Sequence, residues 1–360
     1  MKVLYDHQIF DIQTHGGISR YFANLYEGLN RKSDFHSELA VLHSRNHYID
    51  NKPYLPSSAG KFLLKKQSNR NKWNKRYSEF VIRKNAFDVF HPTYYDPYFL
   101  DKVKKPFVLT VHDLIHELLP EYFTPYDPTV QFKRKVIERA SHLIAISDST
   151  KIDLQSVYNV ADNKISVIHH GYQILTAIES ELELPFTNYI LFVGDRTKYK
   201  NFYILSSAVA RLTKNYPELI LVCAGGGAFT VVEQEAFLRK RLKNVYQIPA
   251  NDGELKALYK NALAFVYPSL YEGFGLPILE AFANDCPAIL SDIPPFKEIA
   301  GDACTYFDPH DVENMTEAIE KVINSESLAD SLRKRGAIQL RKFPISDCID
   351  KTATVYKLFS

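Results

Sequence analysis

Short apolar runs alternate with amphipathic stretches along almost the whole chain. Val3–Tyr5, Leu39–Leu42, Val89–His91, Phe107–Val111, Leu143–Ile146 and Ile165–Ile168 read as strands in the first half, and Tyr189–Val193, Leu219–Cys223, Val245–Ile248, Ala264–Tyr267 and Ala288–Leu290 in the second. Runs that stay apolar instead of alternating belong to strands buried on both faces. Between them the period changes. Ile18, Phe22, Leu25 and Leu29 fall on one face of a helix. Ser149 is placed as the N-cap of a helix reaching about Tyr158, and further helices are predicted near 201–214, 231–243, 252–262 and 277–284. Strand–helix alternation of this kind builds parallel sheets covered on both faces, so the fold class is α/β.

The alternation lapses once, between Tyr172 and Asn188, where acidic residues gather and sheet periodicity disappears. That divides the chain into a domain at 1–173, a linker at 174–188 and a domain at 189–342. From about 311 the pattern is helical only, and the tail at 343–360 is expected to pack back on the first domain. A length of 360 residues suits two domains. A hydrophobic content of 46% excludes disordered and fibrous classes, and a net charge of +2 gives no reason to expect nucleic acid.

Cys223, Cys286, Cys304 and Cys348 form no Cys-x-x-Cys pair, which argues against a zinc site and fits a reducing compartment. The N-terminus lacks the pattern of a signal peptide, and no apolar run approaches the roughly 20 residues of a membrane span. A soluble, cytoplasmic protein is expected. The segment Lys61–Lys84 stands out, with nine basic residues, one acidic residue (Glu79), and Phe62, Leu63, Leu64 and Trp73 interleaved. Two readings fit it: a surface for the cytoplasmic face of an anionic inner membrane, or a solvated basic face.

The richest chemistry lies between Tyr267 and Ala281. A strand ends, a loop containing Gly273, Phe274 and Gly275 follows, and Leu276-Pro277 opens a helix, with proline where its missing N–H costs nothing. Loop amides and a helix N-terminus make an anion site suited to a diphosphate. Glu272 and Glu280 flank it. Carboxylates repel phosphate, so their chemistry is to accept hydrogen bonds from sugar and ribose hydroxyls. The plainer alternative makes Glu280 a helix-surface residue and the glycines a turn.

This Glu-x7-Glu arrangement resembles glycosyltransferase family 4. The resemblance extends through Pro287–Pro294, Glu298–Ala303, Leu191–Arg196 with Lys200-Asn201, Gly16–Arg20, Ala145–Asp148 and Val167–Gly171, and so covers nearly the whole chain. It implies the GT-B fold, two facing Rossmann-like doubly wound domains with a central cleft, and transfer with retention of anomeric configuration. It implies that Arg196 and Lys200 bind the donor diphosphate and neutralise the leaving group. Glu272 would contact the transferred sugar, Glu280 the ribose, and Gly273, Phe274, Gly275 and Leu276 the sugar or phosphate. Gly16 and Gly17 would let the N-terminal loop approach the phosphates.

The resemblance also places His112, at the end of a strand and followed by Asp113-Leu114, beside the donor sugar, while His116, His169 and His170 are read as structural. Asp113 is a candidate for positioning the acceptor. The chain contains no Asp-x-Asp, so no metal and no other cofactor is expected. The family's front-face route would have the leaving phosphate deprotonate the acceptor. Gly225-Gly226-Gly227 follows a strand but is not a dinucleotide fingerprint, because Thr230 takes the last glycine's place.

Gly16–Phe22 and Gly301–Pro309 resemble the O-antigen mannosyltransferase branch, implying GDP-mannose as donor and a lipid-linked oligosaccharide as acceptor. An epimerase or hydrolase on the same scaffold, or a non-catalytic sugar-nucleotide-binding protein, are the alternatives that fold alone leaves open.

Overall fold

A computed structural model describes residues 1–49, 64, 66–173, 186–196 and 198–360. Most of the linker at 174–188 and the positions Lys61, Phe62, Leu63 and Lys65 of the basic segment lie outside the described residues. The chain forms two compact units, Met1–Gly171 with Ile345–Ser360, and Tyr172–Pro344. Tyr172 and Pro344 pair as an isolated bridge inside the second unit, with the Tyr172 N–H donating to Phe343 O at 2.8 Å.

In the first unit, β1 (Lys2–Tyr5) lies between β2 (His36–Leu39) and β3 (Val89–His91), and β5 (His142–Ala145) between β4 (Val108–Val111) and β6 (Ile165–Val167). Every pairing is parallel. The two sheets meet edge to edge at one bridge, Phe90 to Phe107. Strand alternation divides the core. Leu4, Phe90, Leu109, Val111, Leu143 and Ala145 point to one side, and Val3, Tyr5, Val89, Val108 and Ile144 to the other. On that second side the helix Gly17–Asn30 supplies Phe22, Leu25 and Leu29, and the last helix, Ile345–Tyr356, supplies Cys348, Ala353, Val355 and Tyr356.

The second unit is one six-stranded parallel sheet in the order β12-β11-β10-β7-β8-β9. Its strands are β7 (Tyr189–Val193), β8 (Ile220–Ala224), β9 (Val245–Ile248), β10 (Ala264–Tyr267), β11 (Ala288–Ser291) and β12 (Cys304–Phe307). Helices Phe202–Leu212 and Val312–Ile323 pack their apolar sides on it.

Three sequence expectations need correction. The second strand is His36–Leu39 and not Leu39–Leu42, because the chain pairs residue by residue with Lys2–Tyr5 from His36 onward. The helix expected to start at Ser149 runs Asp148–Tyr158. Its cap is Ser147, in extended conformation, whose side chain accepts from Thr150 N–H. The strand β12, whose two central residues are only partly buried, has no counterpart among the strands predicted above.

Candidate active site

In the second unit the loops after β7 and β10 come together. Leu270 N–H donates to Tyr199 O at 2.8 Å, which fixes one loop against the other. This brings Lys200 Nζ to 2.6 Å from Glu272 Oε1. Ser269 Oγ donates to the same oxygen at 2.7 Å. Both bonds land on Oε1 and leave Oε2 to other donors. Burial alone would lower the Lys200 pKa. The adjacent Glu272 carboxylate outweighs it and holds the ammonium well above its ordinary value.

The loop ends at Gly275, which caps the helix Leu276–Ala283 with φ of 101°. A side chain there would be strained, and its Cβ would lie 2.9 Å from Ile278 Cδ1. Pro277 sits in the first turn, as the sequence indicated. Glu272, Gly273, Phe274 and Gly275 are buried, while Leu276 and Glu280 are partly exposed. Glu280 Oε2 accepts from Tyr259 OH at 3.3 Å.

Arg196 and Lys200 end up in different surroundings. Arg196 Nε donates to Glu233 Oε1 at 2.5 Å, Nη1 to Gly225 O at 3.1 Å, and Nη2 to Gly227 O at 3.0 Å and Ala228 O at 3.1 Å. With Gly226 O at 3.3 Å from Nη2 as well, the glycines explain how four successive carbonyls converge on one guanidinium. Gly225, Gly226 and Gly227 have φ of 91°, 69° and 70°, a left-handed run that glycine alone adopts cheaply. A Cβ on Gly226 would stand 2.5 Å from Arg196 Nη1. Glu233 also closes a capping box with Thr230 at the start of the helix Val231–Lys240. The guanidinium therefore braces the glycine turn.

In the first unit, His112 follows β4 and is 5% exposed. Its N–H donates to Tyr95 OH at 3.0 Å. Neither ring nitrogen has a hydrogen-bond partner among the described residues. The ring packs on Tyr21 and stacks at 5.8 Å on His170. Burial, reinforced by His91 and Lys133, pushes the His112 pKa down to about 3, so the imidazole is neutral at physiological pH.

Asp113 accepts from Ile115 N–H at 3.1 Å and lies 3.7 Å from Lys133 Nζ. Gly16 precedes the helix Gly17–Asn30 in extended backbone. Its Cβ position is filled by the Gln13 carboxamide at 2.4 Å, which accepts from Ser19 N–H. Gly16 thus makes room for a side-chain cap.

Sequence reasoning missed Ser269, Tyr259 and Glu233, the three groups that hold the assigned residues in place. Thr230-x-x-Glu233 was a legible signal for the last of them.

Two doubly wound parallel units, with a basic residue and a carboxylate joined beside a glycine-capped helix, define the GT-B class of glycosyltransferases. The family model for group 1 glycosyl transferases matches residues 177–339, and that for glycosyltransferase family 4 matches residues 15–174. The chain thus carries a family 4 domain followed by a group 1 glycosyl transferase domain. It is 32% identical over 233 residues to the O-antigen chain mannosyltransferase RfbU of Salmonella typhimurium, a match covering 63% of this chain and 62% of that relative. It is 27% identical over 303 residues to the O-antigen chain mannosyltransferase B of Escherichia coli, covering 79% and 77%. Its match to the serotype-specific mannosyltransferase WbdA of Escherichia coli, 27% identical, covers 68% of this chain but 32% of that relative.

Among solved structures, sucrose-phosphate synthase from Thermosynechococcus elongatus superposes with a TM-score of 0.77 at 18% identity, covering 99% and 98% of the two chains. HepE from Anabaena, in complex with UDP and glucose, gives 0.70 at 16% identity, covering 99% of both chains. These two likenesses speak for the fold. No described helix is long and apolar enough to cross a membrane.

Proposed function

We propose that the chain transfers a hexose from a nucleotide sugar to a growing surface polysaccharide, with retention and without a metal ion. The similarity to O-antigen mannosyltransferases supports GDP-mannose as donor. The observation that carries the reading is the Lys200–Glu272 pair. A diphosphate at the N-terminus of Leu276–Ala283 would draw the Lys200 ammonium, which stays charged across the physiological range. Glu272 Oε2 would then accept from a hydroxyl of the transferred sugar, and Glu280 from the ribose. Charge building on the leaving diphosphate is met by a pre-positioned cation and helix amides, the arrangement that lowers such barriers most. The neutral His112 keeps one ring N–H, the hydrogen-bond donor that the family resemblance assigns to it.

The described part of the basic segment supports a membrane contact. Trp73 and Phe80 are 46% and 56% exposed on the helix Gln67–Lys84, with Arg76 and Lys84 over their rings. Apolar rings beside cations suit the cytoplasmic, anionic face of an inner membrane, where a lipid-linked acceptor would lie.

The deciding experiment is a thermal-shift series with UDP-, GDP-, ADP- and dTDP-sugars in EDTA, followed by NMR of the product's anomeric proton. A shift with the GDP-sugar and an α-linked product from an α-linked donor are expected. No shift with any donor, or inversion, would sink the proposal.

A further inference from the structure

Lys133 is fully buried on the helix Thr129–Arg139. Its ammonium reaches the turn that joins β4 to the helix Ile115–Leu118. Nζ donates to Asp113 O at 3.0 Å and to Glu117 Oε2 at 2.9 Å, and lies over the Tyr95 ring at 5.2 Å. Two hydrogen bonds and one aromatic face thus meet a group with three N–H donors and no acceptor. The Glu117 side chain is 4% exposed, and its other oxygen accepts from Tyr158 OH at 2.6 Å. A buried ion pair is a poor way to gain stability, because apolar side chains of similar volume often do as well or better. What it supplies is one fixed geometry for the chain it touches.

That geometry bears on His112. Its ring nitrogens have no hydrogen-bond partner among the described residues, so no bond aims the imidazole. Packing and backbone set its direction. The ring packs against Tyr21, Phe22 and His170, at 5.6, 6.0 and 5.8 Å between ring centres. The backbone is held at two successive residues: Tyr95 OH accepts from His112 N–H, and Lys133 donates to the next carbonyl, Asp113 O. The ammonium over the Tyr95 ring joins the two holds. One residue further on the helix takes over, with Leu114 O accepting from Leu118 N–H at 2.9 Å.

We infer that Lys133 is a positioning residue for the transfer: through Asp113 O and Glu117 its buried ammonium fixes the turn at 112–117, and so the direction in which His112 presents its ring. The inference rests on the proposed contact of His112 with the donor.

The test compares the whole wild-type protein with the double variant Lys133→Met, Glu117→Gln. Removing the lysine alone would strand a buried carboxylate, whereas replacing both partners is often tolerated. Glutamine keeps an acceptor for Tyr158. Melting curves, initial rates of GDP release from GDP-mannose and the imidazole cross-peak of His112 in histidine-labelled protein are the readouts. The melting temperature should stay near the wild-type value while kcat falls ~10²-fold, the cost of a small misplacement. KM for GDP-mannose should change less than about threefold, because Lys200 and the helix Leu276–Ala283 are untouched. The His112 cross-peak should move or broaden, which lost stability alone does not cause in folded protein. Should the double variant fail to fold, Lys133→Gln keeps a shorter donor in the same space and is read by the same criteria. An unmoved His112 cross-peak, or a wild-type kcat, in a folded variant overturns the inference alone. A wild type that shows no thermal shift with any UDP-, GDP-, ADP- or dTDP-sugar removes the transfer reading first, and the inference with it.

Discussion

His91 Nδ1 lies 2.6 Å from the hydroxyl of Tyr356, joining a central strand to the last helix. The tautomer follows from its other side. Thr110 N–H donates to His91 Nε2 at 3.2 Å, so Nε2 accepts and Nδ1 must donate. Tyr356 is then free to donate to Tyr5 OH at 3.0 Å. His91 replaces a ladder bond where β3 and β4 scarcely pair, and burial pushes its pKa down to about 3, which keeps the ring neutral. Tyr356→Phe leaves Nδ1–H without an acceptor. We predict a loss of about 1–3 kcal/mol in urea unfolding of the first unit, while donor-induced thermal shift persists.

How much of this was legible varies with sequence distance. Most strands showed as apolar runs because their residues are buried on both faces. β12 did not, since Thr305 and Tyr306 are only partly covered, and His36–Leu39 was displaced because its polar His36 and Glu38 hid the pairing. Lys200 and Glu272 were legible through motif spacing. What lies behind them was not. Tyr259 on Glu280 and Tyr356 on His91 arise only when distant segments meet, and no local period records that. Gly16 was read as clearance for a phosphate. Its neighbour in the structure is the Gln13 side chain.

Lys200→Ala should lower transfer by roughly 10²–10³-fold, the range for removing one donor that meets developing charge. Glu272→Gln should do similarly while weakening donor binding little, since the diphosphate contacts remain. Initial rates with circular dichroism as the folding control decide this. Wild-type rates in both folded variants would remove Lys200 and Glu272 from the chemistry.

Gly226→Ala tests the brace around Arg196. Alanine at φ of 69° costs about 1–2 kcal/mol, and its Cβ would displace Nη1. We expect a lower melting temperature together with weaker donor binding by calorimetry. Gly194→Ala is also strained, at φ of 126°, but meets no atom within 4 Å. It should destabilise without moving Arg196, which isolates the contribution of the guanidinium.

The membrane reading makes a separate prediction. Trp73→Ser with Phe80→Ser should weaken co-sedimentation with anionic vesicles by roughly tenfold, from the apolar surface removed. Transfer to a soluble acceptor should be unaffected. Equal sedimentation of the double variant would return the helix Gln67–Lys84 to a solvated role.

Asp11 gives a pH signature. Its carboxyl is buried, and although Asn74 donates to it and Arg70 lies nearby, burial prevails and raises its pKa from 3.8 to about 7, with Asp6 adding to the rise. His7 Nε2, 3.9 Å away, is the remaining titratable neighbour and is held neutral by its own burial. A raised acid pKa means that the folded state binds this proton more tightly than the unfolded chain. The resulting stability is complete below the unfolded value and disappears as pH rises through 7. Between pH 6 and pH 8 the wild type should therefore lose about 1–1.5 kcal/mol that Asp11→Asn does not lose. Parallel melting curves at the two pH values measure it.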